Sequence, residues 1–206
     1  GRADLEDFAG EVLEVGSAVT RLKPGQKVVV DSSTPCGQCE SCRNAEQELC
    51  TNLQSFWFTR SFGFAEEMIV PAICAFPYEG LSPEVACLQE PLGVAIDMVR
   101  LADIRPGNNV LVTGPGPIGL MALSLVKRAG ARRVFVSGFR KRTGRVEVAE
   151  RIGIDGFVDP TETPLEAYEF GCRIDRILVT APPKTLEAAF KVAAKGAVVS
   201  FVGIEH

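Results

Sequence analysis

Four of the seven cysteines fall within fifteen residues, as Cys36, Cys39, Cys42 and Cys50, in the spacing C-x2-C-x2-C-x7-C. Four thiolates on one short loop can surround a tetrahedral Zn2+ at about 2.3 Å and leave no ligand position open. A closed site of that kind is structural: it folds the loop and admits neither water nor substrate. An iron–sulfur cluster also uses C-x2-C-x2-C, but its ferredoxin form continues x3-C-P, which this sequence lacks. Disulfides are the other alternative, and a reducing compartment disfavours them. The remaining Cys74, Cys87 and Cys172 read as small core residues.

A second chemistry-bearing stretch is Gly114-Pro115-Gly116-Pro117-Ile118-Gly119, which fits G-x-G-x-x-G. It follows an apolar run expected to be a strand, Val110 to Thr113. It opens a helical pattern through Ile118, Met121, Leu125 and Ala129. In that setting Gly114 permits the tight turn, Gly116 lets backbone approach a pyrophosphate, and Gly119 lets helix and strand pack closely. The helix that Pro117 and Ile118 open offers free amides and a positive dipole end to the anion. The next strand, Arg133 to Ser137, is followed by Gly138, with no carboxylate to hold ribose hydroxyls. Arg140, Lys141 and Arg142 come directly after. Cations at that place accommodate a 2′-phosphate, which favours NADP(H) over NAD(H). The other reading makes them the solvated start of the next helix.

The elements that must position these groups change in texture near residue 91. Before it, Phe8 to Val15, Lys27 to Val30 and Phe64 to Val70 read as strands of a small barrel-like β unit. The cysteine lobe, about 32–62, interrupts them. After it, strands alternate with helices. Val134 to Ser137 is a strand, and Val146, Ala149 and Ile152 mark a helix ending at Gly153. Phe157-Val158 and Ile177 to Thr180 are strands. Leu186, Ala189, Phe190 and Ala193 share a face of the last helix, which is expected to run to Gly196 before a closing strand, Ala197 to Val202. The pattern predicts an α/β fold with a doubly wound parallel sheet. The domains are 1–90 and 91–206.

Composition excludes several function classes. The chain has 206 residues, 46% hydrophobic and 23% charged, close to globular averages. A net charge of −4 gives no electrostatic reason to expect nucleic acid. The longest apolar run, Ile118 to Val126, is too short to span a bilayer. The chain opens on Gly1-Arg2 with no signal segment and closes on Glu205-His206. We therefore expect a piece of a longer, cytoplasmic protein.

Six motifs in order carry a resemblance. They are Phe8-Ala9-Gly10-Glu11-Val12, Leu22-Lys23-Pro24-Gly25-Gln26-Lys27-Val28, the cysteine lobe, Gly63-Phe64-Ala65-Glu66, Glu90-Pro91-Leu92 and the glycine string with Leu120. The chain resembles a zinc-containing medium-chain dehydrogenase, of the alcohol and polyol dehydrogenase superfamily. Glu90-Pro91-Leu92 is nearest the sorbitol and threonine dehydrogenase branch. The resemblance implies a partial GroES-like β-barrel catalytic domain with a structural zinc lobe, joined to a Rossmann domain truncated at its C-terminal end. It implies hydride transfer between a secondary alcohol or polyol and NAD(P), and a homo-oligomeric parent. It also sets backbone around Thr180 and Val202-Gly203 toward the nicotinamide.

The resemblance further implies a catalytic zinc with an upstream Cys, the His and sometimes the Glu of a Gly-His-Glu motif, and a Glu matching Glu90. Here that motif reads Leu5-Glu6-Asp7 and the only histidine is His206. Glu90 and Asp7, with Glu6, would be oxygen-only ligands, a poor match to zinc. Reduced turnover in this chain is therefore expected. The alternative is a noncatalytic, zinc-stabilised NAD(P)-binding module.

Overall fold

A computed structural model describes residues 8–55 and 65–203. The chain forms two compact units, Gly1–Glu90 and Pro91–His206.

In the first unit, β1 (Phe8–Glu11), β2 (Lys27–Val30) and β5 (Ala75–Pro77) form an antiparallel sheet in the order β1-β2-β5. The Pro24-Gly25 turn aims β2. Gly25 takes φ +83, open to glycine at little cost, and the Gln26 amide donates to the Lys23 carbonyl at 3.2 Å. Val28 and Val30, two residues apart and so on one face, join Leu22, Cys74 and Ala75 in the core. A hairpin of β3 (Ser33–Thr34) and β4 (Gln54–Ser55) closes the neck of the cysteine lobe.

Two expected strands are corrected here. The first stops at Glu11, four residues before Val15, and Leu13 is exposed. Over 65–70 no strand forms; Met68 and Val70 reach the core without a ladder. Pro71, which has no N–H to donate, closes that segment.

The second unit is a five-stranded, all-parallel sheet in the order β10-β9-β6-β7-β8. Its strands are β6 (Asn109–Thr113), β7 (Arg133–Ser137), β8 (Gly156–Val158), β9 (Ile174–Val179) and β10 (Ala193–Phe201). Alternation splits each strand between two cores. Val110, Val112, Val134, Val136 and Leu178 face one, with the helices Pro117–Arg128 and Thr143–Ile152. Leu111, Phe135, Ile177 and Val179 face the other, with Ala189. Burial on both faces explains why the strands read as continuous apolar runs. The chain winds from β6 outward through β7 and β8, then returns to the far side as β9 and β10. The switch point therefore falls between β6 and β9.

The helix Gln89–Leu101 was not expected from sequence. Its Pro91 lies in the first turn, where a missing N–H costs nothing, and Ala95 and Met98 bury one face, joined in the core by Ala102 just past its end. The last helix is shorter than expected, Leu186–Val192. Ala193 already pairs with Ile174, a register irregularity precedes Val198, and Gly196 takes φ +78 inside it. Phe190 lies 60% exposed, off the buried face that Ala189 occupies.

Candidate functional site

The cysteine lobe brings its four sulfurs together. All four Sγ atoms lie within 4.8 Å of one another, with Cys36–Cys42 and Cys39–Cys50 each at 3.9 Å. Sulfurs about 2.3 Å from a common centre at tetrahedral angles stand roughly 3.8 Å apart, so the donor set fits zinc with little adjustment. Local structure places each one. Gly37, at φ +72, turns the chain so that the Cys39 amide donates to Cys36 Sγ at 3.4 Å. Cys42 rides on the helical turn Glu40–Arg43, and the 3-10 turn Gln47–Leu49 delivers Cys50. The Cys36 amide donates to Cys50 Sγ at 3.2 Å.

These amides stabilise negative sulfur. Those of Gln38 and Cys39 lower the Cys36 thiol, and those of Cys42 and Thr51 hold Cys39 down to about 6. Burial, then the neighbouring Cys39, pushes Cys42 up to about 12. The metal-free lobe is thus part thiolate and part thiol, and zinc must displace the remaining protons. Cys74, outside the group, is buried with Sγ 2.8 Å from Thr34 Oγ1, and burial raises its thiol.

In the second unit the glycine string forms the strand–turn–helix expected of it. Gly114 takes φ +91 directly after β6, and its amide donates to the Ser137 carbonyl at 2.8 Å. The Gly116 amide donates back to the Gly114 carbonyl at 2.8 Å, closing the turn around Pro115. Gly116 is the N-cap and Pro117 the first residue of the helix, so the amides of Ile118 and Gly119 lie in a turn with no intrahelical acceptor. A Cβ at Gly119 would collide with the Gly114 carbonyl and stand 2.6 Å from Thr180 Oγ1. A Cβ at Gly116 would meet nothing within 4 Å, so the backbone there is open to a ligand. Below the loop, the buried Thr113 Oγ1 has no partner among the described residues. An open glycine over a helix N-terminus at a sheet's switch point fits a dinucleotide pyrophosphate.

Thr180 does more than the sequence implied. Its hydroxyl lies 2.6 Å from the Gly114 carbonyl and 2.9 Å from the Thr113 carbonyl, tying the end of β9 to the turn. Val202 follows β10 and donates its amide to the Val179 carbonyl at 3.0 Å; Gly203 comes next. Gly114, Gly138, Thr180 and Val202 therefore all lie at the carboxyl ends of neighbouring strands.

Gly138 follows β7, where a Cβ would collide with Pro115 Cδ, so the glycine loop itself forbids a side chain there. Arg140 is held on several sides. Its guanidinium lies 5.1 Å from the Phe157 ring centre, donates to the Phe157 carbonyl at 3.3 Å and stands 3.6 Å from Glu162. Its amide donates to Asp159 Oδ2 at 2.7 Å. Asp159 is buried, and its other oxygen accepts from the Thr161 hydroxyl at 2.6 Å and amide at 2.9 Å. The Thr161 hydroxyl, then the Arg140 and Thr161 amides, hold its carboxyl below the usual range. Lys141 Nζ lies 5.3 Å from the Phe139 ring centre. Sequence reading missed Asp159 and Glu162; the Asp159-Pro160 turn signal after β8 was the only local cue.

Glu90 is half-buried in the first turn of the helix Gln89–Leu101. Asp7, with Glu6, lies outside the described residues. Among the described residues the four cysteines are the one group of three or more metal-binding side chains close enough to share an ion. No second donor set stands ready for a catalytic zinc among the described residues.

Residues 5–80 match the alcohol dehydrogenase GroES-like domain, and residues 117–206 match the zinc-binding dehydrogenase domain. L-threonine 3-dehydrogenase of Pyrococcus abyssi is 35% identical over 204 residues, covering 96% of this chain and 58% of that protein. That of Rhizobium johnstonii is 36% identical over 160 residues, covering 77% of this chain and 46% of its own length. Among solved structures, a Sinorhizobium meliloti protein described as a zinc-binding dehydrogenase, with NADP bound, superposes with a TM-score of 0.85 at 31% identity. It covers 97% of this chain and 60% of that one. Galactitol-1-phosphate dehydrogenase of Escherichia coli has a TM-score of 0.85 at 27% identity, covering 98% and 59%. The chain thus spans about 58% of the length of the first of these relatives.

Proposed function

We propose that the chain, which matches the alcohol dehydrogenase GroES-like domain over 5–80 and the zinc-binding dehydrogenase domain over 117–206, is an NAD(P)-binding oxidoreductase subunit of the zinc-containing medium-chain alcohol and polyol dehydrogenase family. Its substrate class is a secondary alcohol or polyol, and its preferred cofactor NADP(H). Residues 1–90 are the partial GroES-like domain, and 91–206 the Rossmann domain. Cys36, Cys39, Cys42 and Cys50 hold a structural zinc. Gly114, Gly116, Pro117, Ile118 and Gly119 hold the pyrophosphate, and Gly138, Arg140 and Lys141 border the adenosine ribose. Thr180, Val202 and Gly203 border the nicotinamide. When bound, the dinucleotide supplies the hydride acceptor. The chain's own part is to orient it: Thr180 clamps the turn, and Gly116 leaves room for the phosphates. The cytoplasm is the proposed compartment and a homo-oligomer the proposed assembly of the whole protein. No helix among the described residues is long and apolar enough to cross a membrane.

The observation that carries this reading is the open backbone at Gly116 over a helix N-terminus. Gly116→Val tests it. The backbone there, φ −79 and ψ −176, accepts a side chain, and the new atoms begin in open space. Calorimetric titration with NADP+ is expected to show at least about tenfold weaker binding at unchanged melting temperature. Undiminished binding overturns the reading.

A specific observation favours a second one, the noncatalytic zinc-stabilised module: Glu6 stands where the family has its histidine. Zinc content separates the two. In the full-length parent, one zinc per subunit with no alcohol oxidation supports the module; two zinc per subunit with turnover supports the enzyme.

A further inference from the structure

The sequence around the end of β7 shows cations and no carboxylate, yet the fold brings one there from another loop. Asp159 arranges this. One of its oxygens takes the Arg140 amide at 2.7 Å, and the other takes the Thr161 amide and hydroxyl. Its carbonyl accepts the amides of Glu162 at 3.0 Å and Thr163 at 2.9 Å. A single buried residue thereby ties the loop after β7 to the turn after β8. Glu162 Oε2 is then 3.6 Å from Arg140 Nε, and the Phe157 ring centre lies 5.1 Å from the same guanidinium. Gly138, two residues before Arg140, lies against Pro115 of the glycine loop.

We infer that Glu162 sets the preference between NADP(H) and NAD(H) by holding the Arg140 guanidinium that a 2′-phosphate must take. This rests on the dinucleotide reading above and adds its discriminating residue. A 2′-phosphate approaching Arg140 meets an existing carboxylate partner and must displace it or share the cation against like-charge repulsion. A 2′-hydroxyl is uncharged and carries no such cost. Glu162 is a positioning residue. It favours NAD(H) relative to what the three cations alone would select, so the cation run overstates the NADP preference.

Dissociation constants of the zinc-loaded chain for NADP+ and NAD+ test the inference, measured by calorimetry in the unsubstituted protein, Glu162→Gln, Arg140→Gln and the double variant. Glu162 is 63% exposed at its side chain, so its amide variant retains the melting temperature. Glu162→Gln is expected to tighten NADP+ by about three- to tenfold and to leave NAD+ within about twofold. In the Arg140→Gln background the same change moves NADP+ by less than about twofold, because its effect runs through the guanidinium. An unchanged NADP+ to NAD+ ratio in Glu162→Gln overturns the inference and leaves the dinucleotide reading intact. An equal gain in both backgrounds also overturns it, since Glu162 then acts as a remote charge. Failure of the unsubstituted chain to bind either dinucleotide overturns both.

Discussion

At the scale of single residues, the glycine loop separates positions that serve the protein from positions that serve a ligand. Gly119 serves the protein: a Cβ there runs into the Gly114 carbonyl, a backbone atom pinned by Thr180. Gly119→Ala is therefore expected to cost about 1–3 kcal/mol and lower the melting temperature before any ligand is added. Gly116→Ala leaves stability alone. Thr180→Val keeps the shape but removes the donor to the Gly114 and Thr113 carbonyls. It is expected to cost about 1–2 kcal/mol by urea unfolding. Asp159 adds a pH dependence. Hydrogen bonds from Thr161 and Arg140 depress its carboxyl when folded. Its contribution is present above the unfolded value of about 3.9 and is lost as pH falls through the lower folded value. Asp159→Asn should therefore flatten the acid limb of stability measured below about pH 4. An acid limb identical in both proteins removes Asp159 from that role.

At the scale of elements, the cysteine lobe has little apolar burial of its own. Its helix Glu40–Arg43 and the turn Gln47–Leu49 contain no buried residue, so the four sulfurs, with the zinc proposed for them, serve as its core. Chelation is expected to unfold the lobe. Zinc uptake near pH 7 should release protons, because Cys42 is pushed up to about 12 while Cys39, held to about 6, is already largely ionised. Apparent affinity then rises with pH, about tenfold per unit for each proton displaced. Calorimetry in two buffers of different ionisation heat counts those protons; a count of zero contradicts the mixed thiol–thiolate lobe. The lobe's sulfur cluster is legible in the sequence because its ligands are local. So are β6, β7 and β9, whose apolar runs are bounded by glycines and polar turns. The helix Gln89–Leu101 is not, because Pro91 and Gly93 mask the period carried by Ala95, Met98 and Ala102. The expected strand at 64–70 misleads for the opposite reason: its alternation packs side chains without pairing backbone. Glu162 is illegible since its partner lies twenty-two residues away, on a different loop.

At the scale of the whole chain, the two chemistries are segregated. All four sulfurs belong to Gly1–Glu90, and every loop residue around the proposed dinucleotide belongs to Pro91–His206. Each ligand should therefore protect its own unit. A ligand bound only to the folded state stabilises it by about 2.7 kcal/mol at a hundred times its dissociation constant. Backbone amides whose opening disrupts the site share that gain; others do not. Hydrogen exchange with saturating NADP+ is thus expected to slow near 109–119, 137–141 and 179–181, the strand ends and turns joined by Thr180 and Ser137. Chelating zinc should instead speed exchange over 33–55, between the two strands of the hairpin that closes the lobe. Slowing spread evenly over both units on NADP+ addition would mean that the dinucleotide acts by a global route and not through the turn at Gly114. Slowing confined to the three carboxyl-edge segments assigns the binding energy to backbone amides and the helix end, where the open position at Gly116 leaves room for it.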